Sequence, residues 1–570
     1  MPDKRTVTNT RLGRREAAVI MLAAVAWYLP GIWWGLPVDA EPLYRALWGV
    51  DELGPSGALN AIRVLLGGEV YPSPQYPLAH YFVQAVFVWP YHLAMRVADN
   101  VGFAAQTDSL ATLVLLHRFP SVLMAAGTAT AAAAFIRRVT GSVAGSWFAA
   151  VAVATIGPLA YYARTSNVDA GALFWSMLAL AVAVAALQDG LTARRAVWLG
   201  LCAAASIATK DQQYAFLVGI GAVVAVAHFR RAPASARWRA PLVGLGVSSA
   251  AYLVLSGAVL LPRWFGGHLA FIREGGASGV PEPLLELIGT YAASPATLVG
   301  YSRVAADSGA LLATAVGLPM LALALLGGVH LWRTSRPLLA LMVIPVLALG
   351  AGVIVPVRFV LPRFLLPVDL IVCLLASFGL AEGLRHARWR RLAQTMAAVA
   401  LAWTTLRSGD LAWQMHRDSR QPAAAWLEAQ LQVGDTLGYY GARRKLPTLR
   451  RDIVVIPAPD QYLPDEVYGP EGPISPAPAF LIVIPQRESE LVHEWNLPAE
   501  VFDQLVAGTR GYQQVYAHQT RALFSRPMGL APAVNPPVRI FARDDVAARL
   551  PGPRILTLPD PVRSAAAPLP

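Results

Sequence analysis

Long apolar blocks restrict what this chain can fold into. After an apolar stretch at 17–36, further blocks lie at 119–136, 144–161, 170–187, 196–209, 213–228, 241–261, 309–331, 337–356, 364–384 and 392–406. About 20 apolar residues in a helix can cross the hydrocarbon core of a bilayer. Because 55% of the residues are hydrophobic and only 14% are charged, a soluble core is excluded. The sequence predicts an α-helical polytopic membrane protein with about 11 transmembrane helices.

The basic residues predict which ends of these helices share a side. Nineteen Lys and Arg residues lie in the N-terminal tail and in clusters at 137–138, 194–195, 230–239, 333–336 and 385–391. Such residues favour the cytoplasmic side, which also explains the net charge of +12 without nucleic acid as a partner. The clusters share one side only if the apolar stretch 79–97 does not cross. We interpret 79–97 as a juxtamembrane helix on the outer leaflet of the cell's inner (cytoplasmic) membrane.

The threading divides the chain into four parts. Residues 1–16 form a basic cytoplasmic tail, and 17–406 a transmembrane domain whose first outer loop and juxtamembrane helix occupy 37–118. Residues 407–547 are predicted to form an extracytoplasmic α/β domain, and the Pro/Ala-rich tail 548–570 is expected to be disordered. Strand-like runs in the α/β domain are Asp452–Pro457, Phe480–Pro485 and Val538–Arg543, and helices are predicted at 422–432 and 498–507. Both cysteines fall in apolar spans, which excludes a disulfide framework and a cysteine zinc site.

Acidic and basic side chains gather at the predicted outer ends of the spans. The acids are Asp39, Glu41, Asp51, Glu52 and Asp169, and the bases are Arg164, Lys210, Arg358 and Arg363. A carboxylate can remove the proton of an acceptor hydroxyl, and Lys or Arg can neutralise a leaving phosphate. The arrangement favours transfer from a phosphate-linked lipid, although a solvated loop could also carry such acids.

Five short motifs resemble the GT-C glycosyltransferases, and most closely the bacterial glycosyltransferase family 39 and protein O-mannosyltransferase-like group. They are Val50-Asp51-Glu52, Tyr76-Pro-Leu-Ala-His-Tyr81, Arg164-Thr-Ser-Asn-Val-Asp169, Gly200 to Lys210, and Pro362-Arg-Phe-Leu-Leu-Pro367. The resemblance covers roughly residues 17–410. The chain lacks the His-Pro-Pro-Leu segment of the mannosyltransferases and the Trp-Trp-Asp motif of oligosaccharyltransferases, which argues against protein O-mannosylation and N-glycosylation.

The resemblance implies an inverting transfer of a sugar from a polyprenyl-phosphate donor to an extracytoplasmic acceptor, which could be a lipid, a glycan or a protein. It implies Asp51 as general base, supported by Glu52 and Asp169, with the Asp39 and Glu41 pair as a rival for the role. The expected donor-phosphate ligands are Lys210, Arg363, Arg358 and Arg164, and the expected acceptor or loop contacts are Tyr76, His80 and Tyr81. No spacing of residues demands a metal, although the acids could hold a divalent ion.

Two other function classes fit some of these features. About 11 spans with embedded charges also suit a transporter or lipid flippase, but the sequence has no internal repeat and its ionisable residues favour one face. A non-catalytic assembly protein would use the C-terminal domain to bind partners. Lys210 could reach the headgroups from a span end, Arg164 could neutralise Asp169, and Arg363 could pair with Asp369.

Overall fold

A computed structural model describes residues 11–555 apart from 37–47, 50–51, 69–75, 100–106, 236, 274–293, 441–445, 450–452, 458–476, 485–498, 525–533 and 552–553. Over these residues the chain is mostly helical. The helices are α1 (Arg14–Tyr28), α2 (Pro55–Leu65), α3 (Ala79–Asp99), α4 (Thr107–Thr140), α5 (Val143–Ala154), α6 (Gly157–Ala163), α7 (Val168–Asp189), α8 (Ala193–Thr209), α9 (Gln213–Arg231), α10 (Arg239–Leu255), α11 (Pro262–Arg273), α12 (Leu298–Val316), α13 (Leu318–Thr334), α14 (Arg336–Leu349), α15 (Pro362–Gly383), α16 (Ala387–His416), α17 (Arg420–Gln430), α18 (Ala499–Val506) and α19 (Asp544–Ala547). A π-helical segment, Gly350–Ile354, and one further turn, Val355–Val357, continue α14.

The helices confirm a multi-pass membrane protein. Within the described ranges, α4, α7, α9, α14 with its continuation and α15 are long and apolar enough to span a bilayer. The bent pairs α5–α6 and α12–α13 raise the count to as many as seven. The predicted count of about 11 is larger because it includes α1, α8, α10 and α16, of which the first three have only 15, 17 and 17 residues. Helix α16 has 30 residues, but polar side chains interrupt its apolar face.

Two predicted spans are not straight helices. The block 309–331 bends by 102° between α12 and α13, and 144–161 bends by 64° between α5 and α6. Gly317 takes a φ of 80° at the first bend, which ends α12. Proline is the second residue of both α6 and α13. Proline lacks a backbone N–H and is therefore tolerated in the first turn of a helix but not in its interior, so each proline marks the start of a new helix. Apolar length alone therefore overestimated the continuity of these two segments.

The helix ends sort into two groups, as the charge pattern predicted. At one end, Asp189 of α7 accepts from Arg138 of α4 at 2.6 Å and from Arg195 of α8 at 2.7 Å. Arg385, which follows α15, donates to the carbonyl of Thr140 at 3.0 Å, and Arg231 of α9 donates to that of Leu187. Residues from four of the basic clusters thus lie at the same end of the bundle. Which side of a membrane this end faces stays a prediction.

Helix α3 lies outside the candidate spans and packs against α2, α4 and α8. It begins at Ala79, where the juxtamembrane helix was predicted, and its interior contains Pro90. The buried residues Leu53, Ala61, Leu78, Tyr81 and Trp264 join it to the first outer loop and to α11. The segment therefore covers the end of the bundle opposite to the basic clusters.

Helices α13 and α15 approach each other closely through two glycines. A Cβ on Gly327 would collide with the Leu375 carbonyl oxygen, and a Cβ on Gly379 would collide with that of Leu323. Small residues allow such backbone contact between membrane helices. This contact fixes the position of α15, whose first turn contains the candidate site residue Arg363.

We expect Gly327→Ala to destabilise the bundle by about 1–3 kcal/mol, because the added methyl forces two backbones apart. The neighbouring Gly328 offers a matched control, since a Cβ there meets nothing within 4 Å. Thermal unfolding of the purified protein in detergent measures both variants. An equal midpoint for the two would contradict the packing described here.

The C-terminal region forms a six-stranded sheet of order β2-β1-β3-β5-β4-β6. Its strands are β1 (Thr436–Tyr440), β2 (Val454–Pro457), β3 (Phe480–Val483), β4 (Tyr512–His518), β5 (Val538–Arg543) and β6 (Arg554–Ile555). The α/β class and all three predicted strands are confirmed, with β1–β3 parallel and β5 antiparallel to both β3 and β4. Strand β6 pairs with β4 within the tail that was expected to be disordered. The predicted domain boundary at 406/407 falls inside α16.

Candidate active site

The end of the bundle opposite to the basic clusters carries a buried ion pair. Lys210 directly follows α8, and its ammonium is hydrogen-bonded to Asp169 in the first turn of α7. The Lys210 and Asp169 side chains are only 5% and 1% exposed. Burial of two charges is costly unless their pairing and hydrogen bonds compensate. The two charges therefore depend on each other to remain buried.

Local sequence explains why the two side chains meet. Asn167 caps α7, accepting a 3.0 Å hydrogen bond from the backbone N–H of Asp169. A carboxylate in the first turn also suits the partial positive charge at a helix N-terminus. Lys210 has an extended backbone, with φ −153° and ψ 112°, so the chain turns there between α8 and α9. The side chain of Lys210 consequently points across to α7.

A second cation contacts the same aromatic ring as Lys210. Arg363 is in the first turn of α15, and its guanidinium carbon is 5.6 Å from the ring centre of Phe364. The Lys210 ammonium nitrogen is 5.5 Å from the same ring centre. The structure thus brings together Asp169, Lys210 and Arg363, which are separated by up to 194 residues in the chain. Aromatic rings stabilise cations held in this way.

One oxygen of the Asp169 carboxylate is available for a further contact. Among the described residues, Asp169 Oδ2 is buried and accepts no hydrogen bond. Buried polar atoms are nearly always satisfied, so an orphaned oxygen indicates a position for a water or ligand group. Asp369, in the next turns of α15, also lacks a hydrogen-bond partner for either oxygen within the described ranges. The pairing of Arg363 with Asp369 considered from the sequence is therefore wrong as a hydrogen bond.

Glu52 forms a second buried ion pair at this end. It accepts from Arg118 of α4 through two parallel bonds of 2.6 and 2.9 Å, and both side chains are fully buried. Arg118 also donates to the carbonyls of Ile32 and Trp34 at 2.5 and 2.7 Å. Such a forked arrangement fixes orientation as well as charge. Through Arg118, Glu52 therefore joins the first outer loop to α4 and to the segment that follows α1.

Ser166 connects the two ion pairs. Its N–H and hydroxyl lie 3.2 and 3.3 Å from Glu52 Oε1, and its carbonyl accepts from the N–H of Leu53 at 3.2 Å. Gln84 of α3 donates to the same carbonyl at 3.3 Å. Because Ser166 stands three residues before Asp169, Glu52 and Asp169 belong to one hydrogen-bonded region.

The predicted acceptor contacts surround this region. His80 is fully buried with its Nδ1 against Gly171 of α7, where an added Cβ would lie 2.9 Å away. Burial lowers the pKa of His80 to about 4, so the imidazole is neutral at pH 7. Neither ring nitrogen has a hydrogen-bond partner in the described part of the chain. Tyr81 packs edge-to-face on Trp264 at 5.2 Å, and Trp264 donates to the carbonyl of Tyr76 at 3.4 Å.

Two of the predicted phosphate ligands have different surroundings. Arg164 donates to the carbonyls of Pro30, Ala160 and Trp27 at 2.6, 2.6 and 2.8 Å, which ties the end of α1 to α6. It does not neutralise Asp169. Arg358 has a left-handed backbone, with φ 59°, and its carbonyl accepts from Ser294 at 2.9 Å. The structure groups neither of them with Lys210.

Asp51 and its rivals Asp39 and Glu41 lie outside the described residues. The same limit applies to metals: no group of three or more His, Cys, Asp or Glu side chains suited to a metal ion occurs within the described ranges.

Several site residues were missed in the sequence. Arg118 could have been found, because an arginine at the start of an apolar block requires a partner. Ser166 and Phe364 carried no signal, since their roles depend on which helix ends meet. Asp211, next to Lys210, contacts His268 of α11 at 2.9 Å, a pairing across 57 positions that spacing could not indicate.

Comparisons with known proteins report only distant similarity. No protein-family model matches the chain, and no curated protein matches it in sequence. Among solved structures, ArnT from Cupriavidus metallidurans bound to undecaprenyl phosphate is 14% identical, with 95% of this chain and 100% of that chain covered and a TM-score of 0.45. The apo form of the same protein is 13% identical, with 93% of this chain and 98% of that chain covered and a TM-score of 0.46. The apo oligosaccharyltransferase of Archaeoglobus fulgidus is 10% identical, with 93% and 89% covered and a TM-score of 0.42.

Proposed function

We propose that this chain is a membrane glycosyltransferase that transfers a sugar from a polyprenyl-phosphate donor to an extracytoplasmic acceptor. The observation that carries the proposal is the buried Asp169–Lys210 pair, with Arg363 on the same Phe364 ring, at the ends of three apolar helices. A lipid phosphate would lie at this depth, because its tail stays among the spans while its charge reaches the helix ends.

The reaction needs one base and a binding site for one leaving anion. An acceptor hydroxyl attacks the anomeric carbon of the sugar while the bond from that carbon to the phosphate oxygen breaks. The carboxylate takes the hydroxyl proton, and the bonding electrons leave with the polyprenyl phosphate. Lys210 and Arg363 stabilise that charge in a region with little water. A single displacement of this kind inverts the anomeric configuration.

Asp51 is the proposed base, on the strength of the motif it forms with Glu52. Glu52 supports it by anchoring the loop through Arg118 and Ser166 rather than by reacting, since its oxygens already accept three hydrogen bonds, two from Arg118 and one from the Ser166 N–H. Asp169 neutralises Lys210 until a phosphate is bound, and its orphaned Oδ2 offers an acceptor for a substrate hydroxyl. His80, a neutral imidazole beside α7, is proposed to contact the acceptor. Arg164 is left as an anchor of α1.

The distribution of charge favours a transferase over a transporter or flippase. Two buried ion pairs formed between segments of the bundle, Glu52–Arg118 and Asp169–Lys210, both lie at one end of it. A transport path would need ionisable residues through the midplane. Asp369 is a buried acid within α15, but no described side chain forms a hydrogen bond with it.

The function can be tested by profiling glycolipids and envelope glycans in a deletion strain. We expect one sugar modification to be lost, to return with the wild-type chain and with Asp39→Asn, and to stay absent with Asp51→Asn. Restoration by Asp51→Asn but not by Asp39→Asn would assign the base to the earlier pair. A deletion strain with an unchanged profile would contradict the proposed transfer.

A further inference from the structure

The first outer loop is also held by the C-terminal region, through a buried group that we call the Arg420 clamp. It consists of Trp34, Trp48, Asp418 and Arg420, whose exposed fractions are 0%, 3%, 0% and 0%. Trp34 follows α1 and Trp48 lies in the first outer loop, whereas Asp418 and Arg420 stand at the start of α17, just before the sheet. Two distant parts of the chain thus share one buried site.

The Arg420 guanidinium lies over the ring of Trp48 and near the ring of Trp34. Its central carbon is 3.8 Å from the ring centre of Trp48 and 5.5 Å from that of Trp34. The Trp48 indole N–H donates to the carbonyl of Leu446 at 3.2 Å, a second contact with the C-terminal region. Trp48 also needs Gly35, which has a φ of 62° and where a Cβ would lie 2.7 Å from the Trp48 side chain. The position of Trp48 is therefore fixed by contacts from the N-terminal segment and from the C-terminal region.

Asp418 orients the arginine and ties it to Trp34. It accepts from Arg420 Nε and Nη2 at 2.8 Å each, and from the Trp34 indole N–H at 2.9 Å. The N–H of Asn535 donates to the same carboxylate at 2.8 Å. The carboxylate thus has partners from three separate segments, and a forked pair of this kind fixes the plane of the guanidinium.

The clamp stands next to the proposed catalytic segment. Trp48 precedes Asp51 by three residues, and Glu52 directly follows Asp51. Glu52 is held by Arg118, and the same Arg118 donates to the carbonyl of Trp34. The C-terminal region therefore contacts Trp48, and the bundle contacts Glu52, the described residues nearest to Asp51 in these contacts.

We propose that the Arg420 clamp makes the C-terminal α/β region a positioning element for the Asp51–Glu52 segment. The inference rests on the proposed function, because the segment matters for catalysis only if it carries the base. Arg420 is a positioning residue: it acts on Asp51 through Trp48. A buried arginine between tryptophans supplies orientation that an apolar side chain of equal volume could not.

A cysteine reporter in the loop tests the clamp without any sugar assay. The reporter is Leu53→Cys, at a position that is 7% exposed and directly follows Glu52, labelled with a maleimide in the full-length protein, where the native Cys202 and Cys373 are buried. We expect Arg420→Gln and Trp48→Leu each to raise the labelling rate by roughly fivefold or more, because loss of the clamp increases local opening. Arg420→Lys should give an intermediate rate. Arg543→Gln, which removes an exposed pair with Asp545 in the same region, is the control and should leave the rate unchanged.

The second variant keeps the test decisive if Arg420→Gln folds poorly, because Trp48→Leu leaves the Asp418–Arg420 pair intact. Unchanged labelling in folded variants would overturn the proposal, and so would labelling that rises only in step with a lower unfolding temperature. Polyprenyl phosphate binding should survive Trp48→Leu while restoration of the sugar modification is lost. The labelling result does not depend on sugar transfer, so a deletion strain with an unchanged glycan profile would refute the proposed function and leave the clamp standing.

Discussion

Lys210→Gln is expected to weaken the binding of a polyprenyl phosphate by about 10- to 100-fold, since a hydrogen bond to a charged group contributes about 1.5–3 kcal/mol. Lys210 is the cation that stands deepest in the proposed site, paired with Asp169. In the variant, Asp169 stays buried without its partner and repels the phosphate. Binding can be measured on the purified protein in detergent, with the corresponding polyprenol as the uncharged reference.

The matched control for this prediction lies on the same helix. Arg195 stands at the start of α8 and Lys210 directly follows its end, so Arg195→Gln removes an equal charge at the opposite end of the bundle. It should leave binding unchanged. Arg363→Gln separates binding from stability, because it leaves the Asp169–Lys210 pair intact. We expect it to weaken binding as well, and retention of full affinity in both Lys210→Gln and Arg363→Gln would remove this cluster as the phosphate site.

Glu52→Gln is expected to lower the free energy of unfolding by about 3–5 kcal/mol, the range for a buried ion pair that loses one partner. The Arg118 guanidinium would stay buried with no carboxylate, while its bonds to the Ile32 and Trp34 carbonyls persist. The effect should be larger than for any exposed pair. Thermal or denaturant unfolding in detergent measures it.

An exposed pair provides the comparison. Asp189→Asn weakens the contacts with Arg138 and Arg195, whose side chains are 22% and 27% exposed, and should cost about 0–1 kcal/mol. Similar costs for Asp189→Asn and Glu52→Gln would contradict the anchoring role of Glu52. A stable Glu52→Gln protein without activity would instead move Glu52 into the reaction itself.

Part of the site could be predicted because local sequence signals were strong. Asp169 and Lys210 stand at span ends, and the distribution of basic clusters predicted that both lie on the opposite side from those clusters. Their pairing with each other did not follow, because Arg164 lies five residues before Asp169 and was the partner considered for it. The partner of Glu52 did not follow, because Arg118 is 66 positions away and any of several outer-face bases could have taken its place. Arg164 was predicted to bind the donor phosphate, but in the structure its guanidinium donates to backbone carbonyls at the end of α1 and in α6.

The sequence by itself determined the membrane class, the two-sided distribution of charge and the α/β character of the C-terminal region. Apolar length, basic clusters and β-branched runs are local properties, and each acts wherever it occurs. Only the tertiary structure decided that α12 and α13 bend apart, that Lys210 and Arg363 share one ring, and that Arg420 reaches back to Trp48. These outcomes depend on which distant helix ends and loops are neighbours, and the free energy that decides among such neighbours comes from packing and buried pairing rather than from local propensity.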